Sequence, residues 1–312
     1  MLNRKTKSQR ASILLYLARI VFGWKTKVIR DAVTVSRLVA NRQYPSAAQM
    51  PSQLRSACIV DEWEFDGQKV LTLTPKYSHV RGGRIIYLHG GAYINSLMKA
   101  HWDIIAALID VTGFSVTVPF YALAPENDAR RGTSLVDTVY ERVLAKWPGE
   151  RIIVAGDSAG GNFALTLAIR RRDAGLVLPD RLVLFSPWLD LGLSDGRAYA
   201  LEEKDIMLRV DVLRECGKWW AGSEDPSSAH MSPLYANLSG LPPISLFQGD
   251  YDIFVIDART FSAKAKFAGV ELVYEEYPGA FHVFVAATFT REAKHAFQSI
   301  AASVKTMRRV QL

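Results

Sequence analysis

The chain has 312 residues, of which 49% are hydrophobic and 22% are charged. These proportions are ordinary for a folded protein and exclude a disordered, collagen-like or coiled-coil chain. The 38 basic and 31 acidic residues give a net charge of +7. No DNA- or RNA-binding motif accompanies that charge, so nucleic-acid binding is not predicted. A chain of this length buries enough surface to fold without a metal ion or a disulfide.

The two cysteines, Cys58 and Cys216, show neither a C-x-x-C motif nor a zinc-site spacing. We expect two free thiols, which are typical of a reducing cytosol, and therefore a cytoplasmic protein. A disulfide between them is the alternative.

Basic residues precede an apolar stretch near the N-terminus, as in a signal peptide, but Arg19 interrupts it and no small-residue cleavage site follows. No run of about 18 apolar residues is long enough to span a bilayer. At helical spacing one apolar face is expected, formed by Ile13, Leu17, Ile20 or Val21, and Trp24. Such a basic amphipathic helix can lie on a membrane surface. The interpretation we favour is a helix that covers the core or a pocket of its own protein.

Residues 1 to about 50 are expected to be helical, and strands and helices alternate after that point. The predicted strands are Ile59–Phe65, Lys69–Thr74, Arg84–His89, Ser115–Val118, Arg151–Ala155, Arg181–Phe185, Ile244–Gln248 and Glu271–Glu275. The predicted helices are His101–Val111, Ser134–Lys146, Ala159–Asp173, Asp257–Ala268 and Phe284–Val304. This alternation predicts an α/β fold with a mostly parallel sheet flanked by helices. Residues 189–237 interrupt it, as an insertion would.

The sequence Gly156-Asp-Ser-Ala-Gly160 is a G-x-S-x-G motif between a predicted strand and a predicted helix. That context is typical of a nucleophile elbow, in which small residues allow a sharp turn and leave a serine exposed at the helix N-terminus. Ser158 is therefore the candidate nucleophile.

A serine hydroxyl needs a base to take its proton and an acid to orient that base. Downstream of the elbow, His282 lies in a loop after a predicted strand, whereas His295 lies inside a predicted helix. His282 is therefore the candidate base. Asp250 and Asp252 both follow a predicted strand and are not separated by spacing, whereas Asp257 is typical of a helix N-terminus.

A developing oxyanion needs N–H donors at about 2.7–3.1 Å. Ala159, directly after the nucleophile, is one candidate. The glycine-rich loop His89-Gly90-Gly91-Ala92-Tyr93 follows an earlier strand and is expected to supply the others.

From about residue 55 onward, these motifs resemble those of the hormone-sensitive-lipase-like esterases, a branch of the α/β-hydrolases. His89-Gly-Gly-Ala-Tyr resembles the family's H-G-G-G motif, and Tyr121-Ala-Leu-Ala-Pro-Glu resembles Y-R-L-A-P-E. Gly249-Asp-Tyr-Asp-Ile-Phe-Val-Ile-Asp257 is similar to G-x-x-D-x-L-x-x-D. Ala92 replaces the third glycine of the first motif, which keeps the backbone N–H and adds a methyl group.

The resemblance implies an α/β-hydrolase fold and places the catalytic aspartate at Asp252. It also assigns His282 as the base and makes Gly91 and Ala92 oxyanion donors beside Ala159. Residues 1–50 and about 189–232 would form a helical cap on a catalytic domain of residues 51–312.

The expected activity is that of a serine carboxylesterase that acts on short- to medium-chain acyl esters and needs no metal or organic cofactor. A deacetylase or an amidase on the same triad is one alternative, and a non-catalytic ligand-binding protein on this scaffold is another. The expected partner is a small ester, and a homodimer is possible by analogy with some relatives.

Overall fold

Eight strands form a single sheet in a computed structural model that describes residues 11–25, 46–77 and 82–306. In chain order they are β1 (Cys58–Phe65), β2 (Gln68–Pro75), β3 (Gly83–Leu88), β4 (Ser115–Pro119), β5 (Arg151–Asp157), β6 (Arg181–Phe185), β7 (Ile244–Gly249) and β8 (Leu272–Tyr277). Their order across the sheet is β1-β2-β4-β3-β5-β6-β7-β8. The pairs β1–β2 and β2–β4 are antiparallel, and the pairs from β4 to β8 are parallel. The predicted mostly parallel sheet is confirmed.

Helices cover both faces of this sheet. Those described are α1 (Ile13–Lys25), α2 (Ser52–Ala57), α3 (Lys99–Thr112), α4 (Ala129–Lys146), α5 (Ala159–Asp173), α6 (Arg197–Leu201), α7 (Val210–Ala221), α8 (Val255–Phe267) and α9 (Arg291–Thr306). One apolar core contains side chains of α4, α5, α7 and α8, and a second contains side chains of α1, α3 and α9. The central strands are buried on both faces, which explains their nearly continuous apolar sequences.

The eight predicted strands agree with the observed ones to within a few residues. The predicted helix Phe284–Val304 is partly wrong, because α9 begins only at Arg291 and Phe284–Ala286 form a separate 3₁₀ turn. The Thr290 hydroxyl accepts a hydrogen bond from the Ala293 N–H at 3.2 Å and so caps the first turn of α9. Residues 46–50 are not helical as expected, and residues 26–45 lie outside the described part of the chain.

Helix α1 packs through a different face from the one that the sequence predicts. Leu15 and Ala18 are buried in the second core, whereas Ile13, Leu17, Ile20 and Val21 of the predicted face are 49–79% exposed. The Trp24 side chain lies outside the described residues. Both faces of α1 are apolar, so periodicity alone did not identify the packed one.

The loop after β3, here called the glycine loop (Gly90–Tyr93), has an unusual backbone. Gly91, Ala92 and Tyr93 have φ angles of +119°, +55° and +62°. A Cβ on Gly91 would lie 2.6 Å from the Asn95 carbonyl oxygen, so the loop requires glycine there. Ala92 adopts the left-handed region at an energetic cost, because its Cβ crowds the backbone.

Substituting Ala92→Gly should therefore raise the free energy of unfolding by about 1 kcal/mol, since glycine relieves this strain. Urea denaturation of both proteins measures the change. The matched control is Ala174→Gly, at an exposed residue with φ −86°, which should not stabilise the protein. Equal effects of the two substitutions would contradict the strain at Ala92.

Candidate active site

Ser158 occupies the sharp turn between β5 and α5. Its φ and ψ angles are +53° and −120°, a combination that a non-glycine residue rarely adopts. The flanking glycines make this turn possible. A Cβ on Gly156 would lie 2.3 Å from the Gly160 carbonyl oxygen, and one on Gly160 would lie 2.0 Å from that of Leu88. The sequence therefore folds locally into the expected elbow and places Ser158 at the N-terminus of α5.

Asp252 and His282 lie together at the carboxyl ends of the parallel strands. Asp252 follows β7 and His282 follows β8, which are neighbouring parallel strands. His282 Nδ1 lies 2.8 Å from Asp252 Oδ2, and both side chains are almost fully buried. The other Asp252 oxygen accepts the Phe254 N–H at 2.9 Å, which fixes the carboxylate. With Nδ1 directed to Asp252, the Nε2 atom of His282 is the one available for proton transfer.

The charges around His282 change its pKa. Burial lowers the pKa, but the carboxylates of Asp252, Asp205 and Asp157 outweigh burial and raise it above its ordinary value. These carboxylates stabilise the imidazolium that forms when His282 takes a proton. The imidazole is therefore a stronger base than it would be in water.

The other acid and base candidates lie in different surroundings. Asp250 accepts the Gly279 N–H at 2.6 Å and supports the turn after β8. Asp257 lies in the first turn of α8, where burial and then the charge of Asp190 raise its pKa to about 7. His295 on α9 contacts the Tyr277 hydroxyl at 2.9 Å. Neither Asp250 nor Asp257 hydrogen-bonds to His282 among the described contacts.

The glycine loop and the elbow face each other across adjacent strands β3 and β5. In the described part of the chain, no hydrogen bond uses the N–H groups of Gly91 or Ala92, so both are available to a substrate oxygen. Gly90 differs, because its N–H already donates to Asp157 Oδ1 at 3.0 Å. The prediction of Gly90 as an oxyanion donor is therefore wrong. Gly91, Ala92 and Ala159 stay as the candidate donors.

Asp157 joins these two segments through a buried carboxylate. Besides the Gly90 N–H, its Oδ1 accepts the Tyr87 hydroxyl at 2.5 Å, and its Oδ2 lies 3.4 Å from His101 Nε2. Burial raises the pKa of Asp157, but His101, Tyr87 and the Gly90 N–H outweigh burial and hold it below the ordinary value. The carboxylate is thus charged and anchors the glycine loop beside Ser158. Sequence reasoning quoted this residue within the elbow motif but gave it no role.

Asp205 is a second residue that sequence reasoning missed. It comes from the segment between β6 and β7, and it accepts the N–H groups of Met207 at 2.7 Å and Leu208 at 2.9 Å. Its other oxygen accepts the Ile253 N–H at 3.0 Å, next to Asp252. Burial and then the charge of Asp252 raise the pKa of Asp205 to about 6. No motif marks this residue, because 47 positions separate it from Asp252 in the sequence.

Other kinds of site are less well supported. Within the described ranges, no group of three or more His, Cys, Asp or Glu side chains could hold a metal ion. Cys58 and Cys216 are free and buried. Among the helices that the structure describes, none is long and apolar enough to cross a membrane.

Comparison with known proteins places this geometry in a family. Residues 85–286 match the family described as having the alpha/beta hydrolase fold. An acetyl-hydrolase of Streptomyces hygroscopicus is 32% identical over 204 residues, which cover 65% of this chain and 68% of that protein. An esterase of Acinetobacter venetianus is 30% identical, over 70% and 73% of the two chains.

The fold agrees with solved structures as well. The crystal structure of an esterase from the bacterial hormone-sensitive lipase family superposes with a TM-score of 0.81 at 24% identity, over 96% of this chain and 99% of that one. The chain therefore belongs to the α/β-hydrolase fold family, as its resemblance to the hormone-sensitive-lipase-like branch predicts.

Proposed function

We propose that the protein is a serine carboxylesterase that transfers the acyl group of a small ester to water. The observation that carries this proposal is the 2.8 Å contact between His282 Nδ1 and Asp252 Oδ2 at the sheet edge that also bears the strained Ser158. Its relatives from Streptomyces and Acinetobacter, an acetyl-hydrolase and an esterase, support the same activity.

In the proposed mechanism, the Ser158 oxygen attacks the ester carbonyl while His282 takes the hydroxyl proton. The negative charge that develops on the carbonyl oxygen is stabilised by the N–H groups of Gly91, Ala92 and Ala159. His282 then gives the proton to the leaving alcohol, and Asp252 stabilises the imidazolium form in between. Water attacks the acyl-enzyme with His282 again as the base, and Ser158 is regenerated.

Packed aromatic rings beside the site support a preference for short acyl chains. Phe254 lies edge-on to His282 with ring centroids 5.1 Å apart, and Trp188 stacks on Phe254 at 6.0 Å. Tyr93 of the glycine loop belongs to the same cluster, because it lies 6.1 Å from Trp188 and stacks on Trp220 at 4.0 Å between ring centroids. We propose that this aromatic packing limits the acyl pocket to short and medium chains.

We propose further that residues 1–50 and 189–232 form a cap over this site. The second segment supports that assignment, because it supplies α6, α7 and the buried Asp205 that contacts the Ile253 amide. The buried free thiols of Cys58 and Cys216 support a reducing location such as the cytoplasm.

Hydrolysis of p-nitrophenyl acetate, butyrate, octanoate and palmitate tests the activity directly. Wild type should turn over the short esters fastest, and Ser158→Ala should lose a factor of about 10⁴ or more in kcat, since it lacks the nucleophile. Ser239→Ala, at an exposed serine remote from the elbow in sequence, is the control and should keep full activity. A folded wild-type protein that hydrolyses none of the four esters would contradict the proposal, as would an active Ser158→Ala.

Asp205→Asn should move the acidic limb of the pH profile of kcat/KM to lower pH. The Asp205 charge raises the pKa of His282, so removing it leaves the imidazole neutral, and therefore able to act as a base, at lower pH. Hydrolysis of p-nitrophenyl butyrate between about pH 5 and pH 9 measures the profile.

The matched control is Asp190→Asn, which changes another buried carboxylate of the same segment. Asp190 accepts the N–H groups of Gly192 and Ser194, both at 2.8 Å, and is not among the charges that shift His282. Its variant should leave the pH profile in place. An equal shift in both variants, or none in Asp205→Asn, would show that Asp205 does not act through His282.

A further inference from the structure

The side chain of Gln248 ends at the carboxylate of the candidate catalytic acid. Gln248 is the last residue but one of β7 and is completely buried. Its Nε2 atom donates a hydrogen bond at 2.8 Å to Asp252 Oδ2, the oxygen that His282 Nδ1 also contacts at 2.8 Å. Gln248 lies directly before the glycine that begins the family pattern around Asp252, so no motif includes it.

The chemistry of its partners fixes the orientation of this amide. A carboxylate oxygen and a backbone carbonyl oxygen only accept hydrogen bonds. The Nε2 group of Gln248 has two N–H bonds and two such partners, Asp252 Oδ2 and, at 3.2 Å, the Gly249 carbonyl oxygen. A reversed amide would place its own oxygen against both of these oxygens. Gln248 therefore acts on Asp252 only as a donor.

The opposite end of the amide has no hydrogen-bond partner in the described part of the chain. Its Oε1 atom is buried and accepts no hydrogen bond there. An unpaired buried acceptor lowers stability, and an apolar side chain of similar length, such as methionine, would avoid that cost. Packing alone therefore does not favour glutamine at this position. The hydrogen bond to Asp252 is the feature that an apolar side chain would not supply.

Backbone contacts hold the two loops of the site together but do not fix the carboxylate. The loop that carries His282 lies against the end of β7, because a Cβ on Gly249 would lie 2.3 Å from the Ala280 carbonyl oxygen. The Tyr251 N–H donates to the same oxygen at 3.0 Å. These contacts set the spacing of the loops, whereas the Asp252 carboxylate can still rotate about its Cβ–Cγ bond.

Gln248 and the Phe254 amide together oppose that rotation. The Phe254 N–H donates to Oδ1 of Asp252 at 2.9 Å, and Gln248 donates to Oδ2. With one such donor on each oxygen, the plane of the carboxylate is fixed toward His282 Nδ1. An orientation that is fixed in advance lowers the barrier, because less freedom is lost when the reaction begins.

The shared oxygen also affects the charge on His282. The carboxylates that raise the pKa of His282 come from three segments and belong to Asp252, Asp205 and Asp157. The partial positive charge of the Gln248 N–H lies at the same oxygen as the imidazole and opposes the imidazolium, so it limits that rise in pKa. Two N–H donors occupy Asp252 Oδ2, which leaves no position there for a proton. The Nδ1 proton therefore stays on His282 when the imidazolium forms.

We propose that Gln248 is a positioning residue for the Asp252–His282 pair. Its amide fixes the plane of the carboxylate, keeps the imidazolium proton on His282 Nδ1 and limits the attraction between the two charges. The consequence for turnover rests on the proposed esterase function, whereas the effect on His282 is present without any substrate.

Gln248→Met removes the donor and keeps a side chain of similar length. For p-nitrophenyl butyrate we expect kcat to fall about tenfold or more, because the carboxylate is no longer fixed, while KM changes by less than about twofold. KM is spared because Gln248 is completely buried and does not reach the substrate. The acidic limb of the kcat/KM profile should move to higher pH, since loss of the donor raises the pKa of His282 further. This direction is opposite to that expected for Asp205→Asn.

Gln248→Glu is the conservative variant that should restore function. Burial and the charge of Asp252 keep the introduced carboxyl protonated, so its O–H replaces the amide N–H as the donor to Oδ2. Below about pH 7, kcat should stay within about threefold of wild type, and the acidic limb should stay in place.

The matched control is Gln68→Met, which replaces another buried glutamine. The hydrogen bonding of Gln68 is the reverse of that of Gln248, because its Oε1 accepts the Ala122 N–H at 2.7 Å and its buried Nε2 has no partner among the described residues. Four strands separate β2, which carries Gln68, from β7. Gln68→Met should leave the pH profile in place. Circular dichroism should show that all variants are folded, and Gln248→Leu replaces Gln248→Met if the latter is not.

NMR titration of the histidine rings tests the effect on His282 without turnover. In a Ser158→Ala background, with the His282 signal assigned by its loss in His282→Asn, Gln248→Met should raise the pKa of His282. Gln248→Glu and Gln68→Met should not. An unchanged pKa in Gln248→Met would overturn the proposal even if kcat fell, because lost packing alone would give that result. Equal effects of Gln248→Met and Gln68→Met, or a Gln248→Glu variant as impaired as Gln248→Met, would overturn it as well.

The two kinds of measurement separate this inference from the proposed function. The expected change in the His282 titration, in a protein that hydrolyses no ester, would reject only the esterase. Normal ester turnover with an unchanged His282 titration in Gln248→Met would reject only the role of Gln248.

Discussion

The carboxylate of Asp157 is the contact on which both halves of the candidate site depend. It stands beside Ser158 at the end of β5 and accepts the Gly90 N–H from the glycine loop. A buried charge is tolerated only when donors surround it, and here Tyr87 and His101 complete the set. Because one side chain contacts both segments, the position of the nucleophile and that of the oxyanion donors are set together, and the strained backbones of Ser158 and Ala92 are held against relaxation.

The parallel sheet brings the candidate acid and base of the site together. Strands β5, β6, β7 and β8 are neighbours with the same direction, so residues that follow them meet at one edge. Asp252 and His282 are brought together in this way although 30 positions separate them in the sequence. The segment between β6 and β7 then adds Asp205, whose charge acts on His282 and whose contact with the Ile253 amide supports the loop that carries Asp252.

The sequence contained enough information for the sheet and for the elbow, because both depend on local patterns. Apolar runs marked the buried strands, and two glycines marked the turn at Ser158. Spacing did not separate Asp250 from Asp252. The resemblance to the family pattern favoured Asp252, and in the structure it is Asp252 that contacts His282. The effect of Asp205 on the site and the hydrogen bond that occupies the Gly90 N–H both depend on contacts between segments that are distant in the sequence. No local sequence pattern predicts such contacts. The packed face of α1 was also missed, because two faces of this helix carry apolar residues and their spacing does not show which one is buried.

The most direct test of the account is a crystal structure of the protein after reaction with an alkyl phosphonate that carries a p-nitrophenol leaving group. The phosphorus should be bonded to Ser158 Oγ, with one phosphonyl oxygen about 2.7–3.1 Å from the N–H groups of Gly91, Ala92 and Ala159. The Gly90 N–H should still donate to Asp157. A phosphonate bonded to another residue, or an oxygen directed away from the glycine loop, would contradict the proposed site.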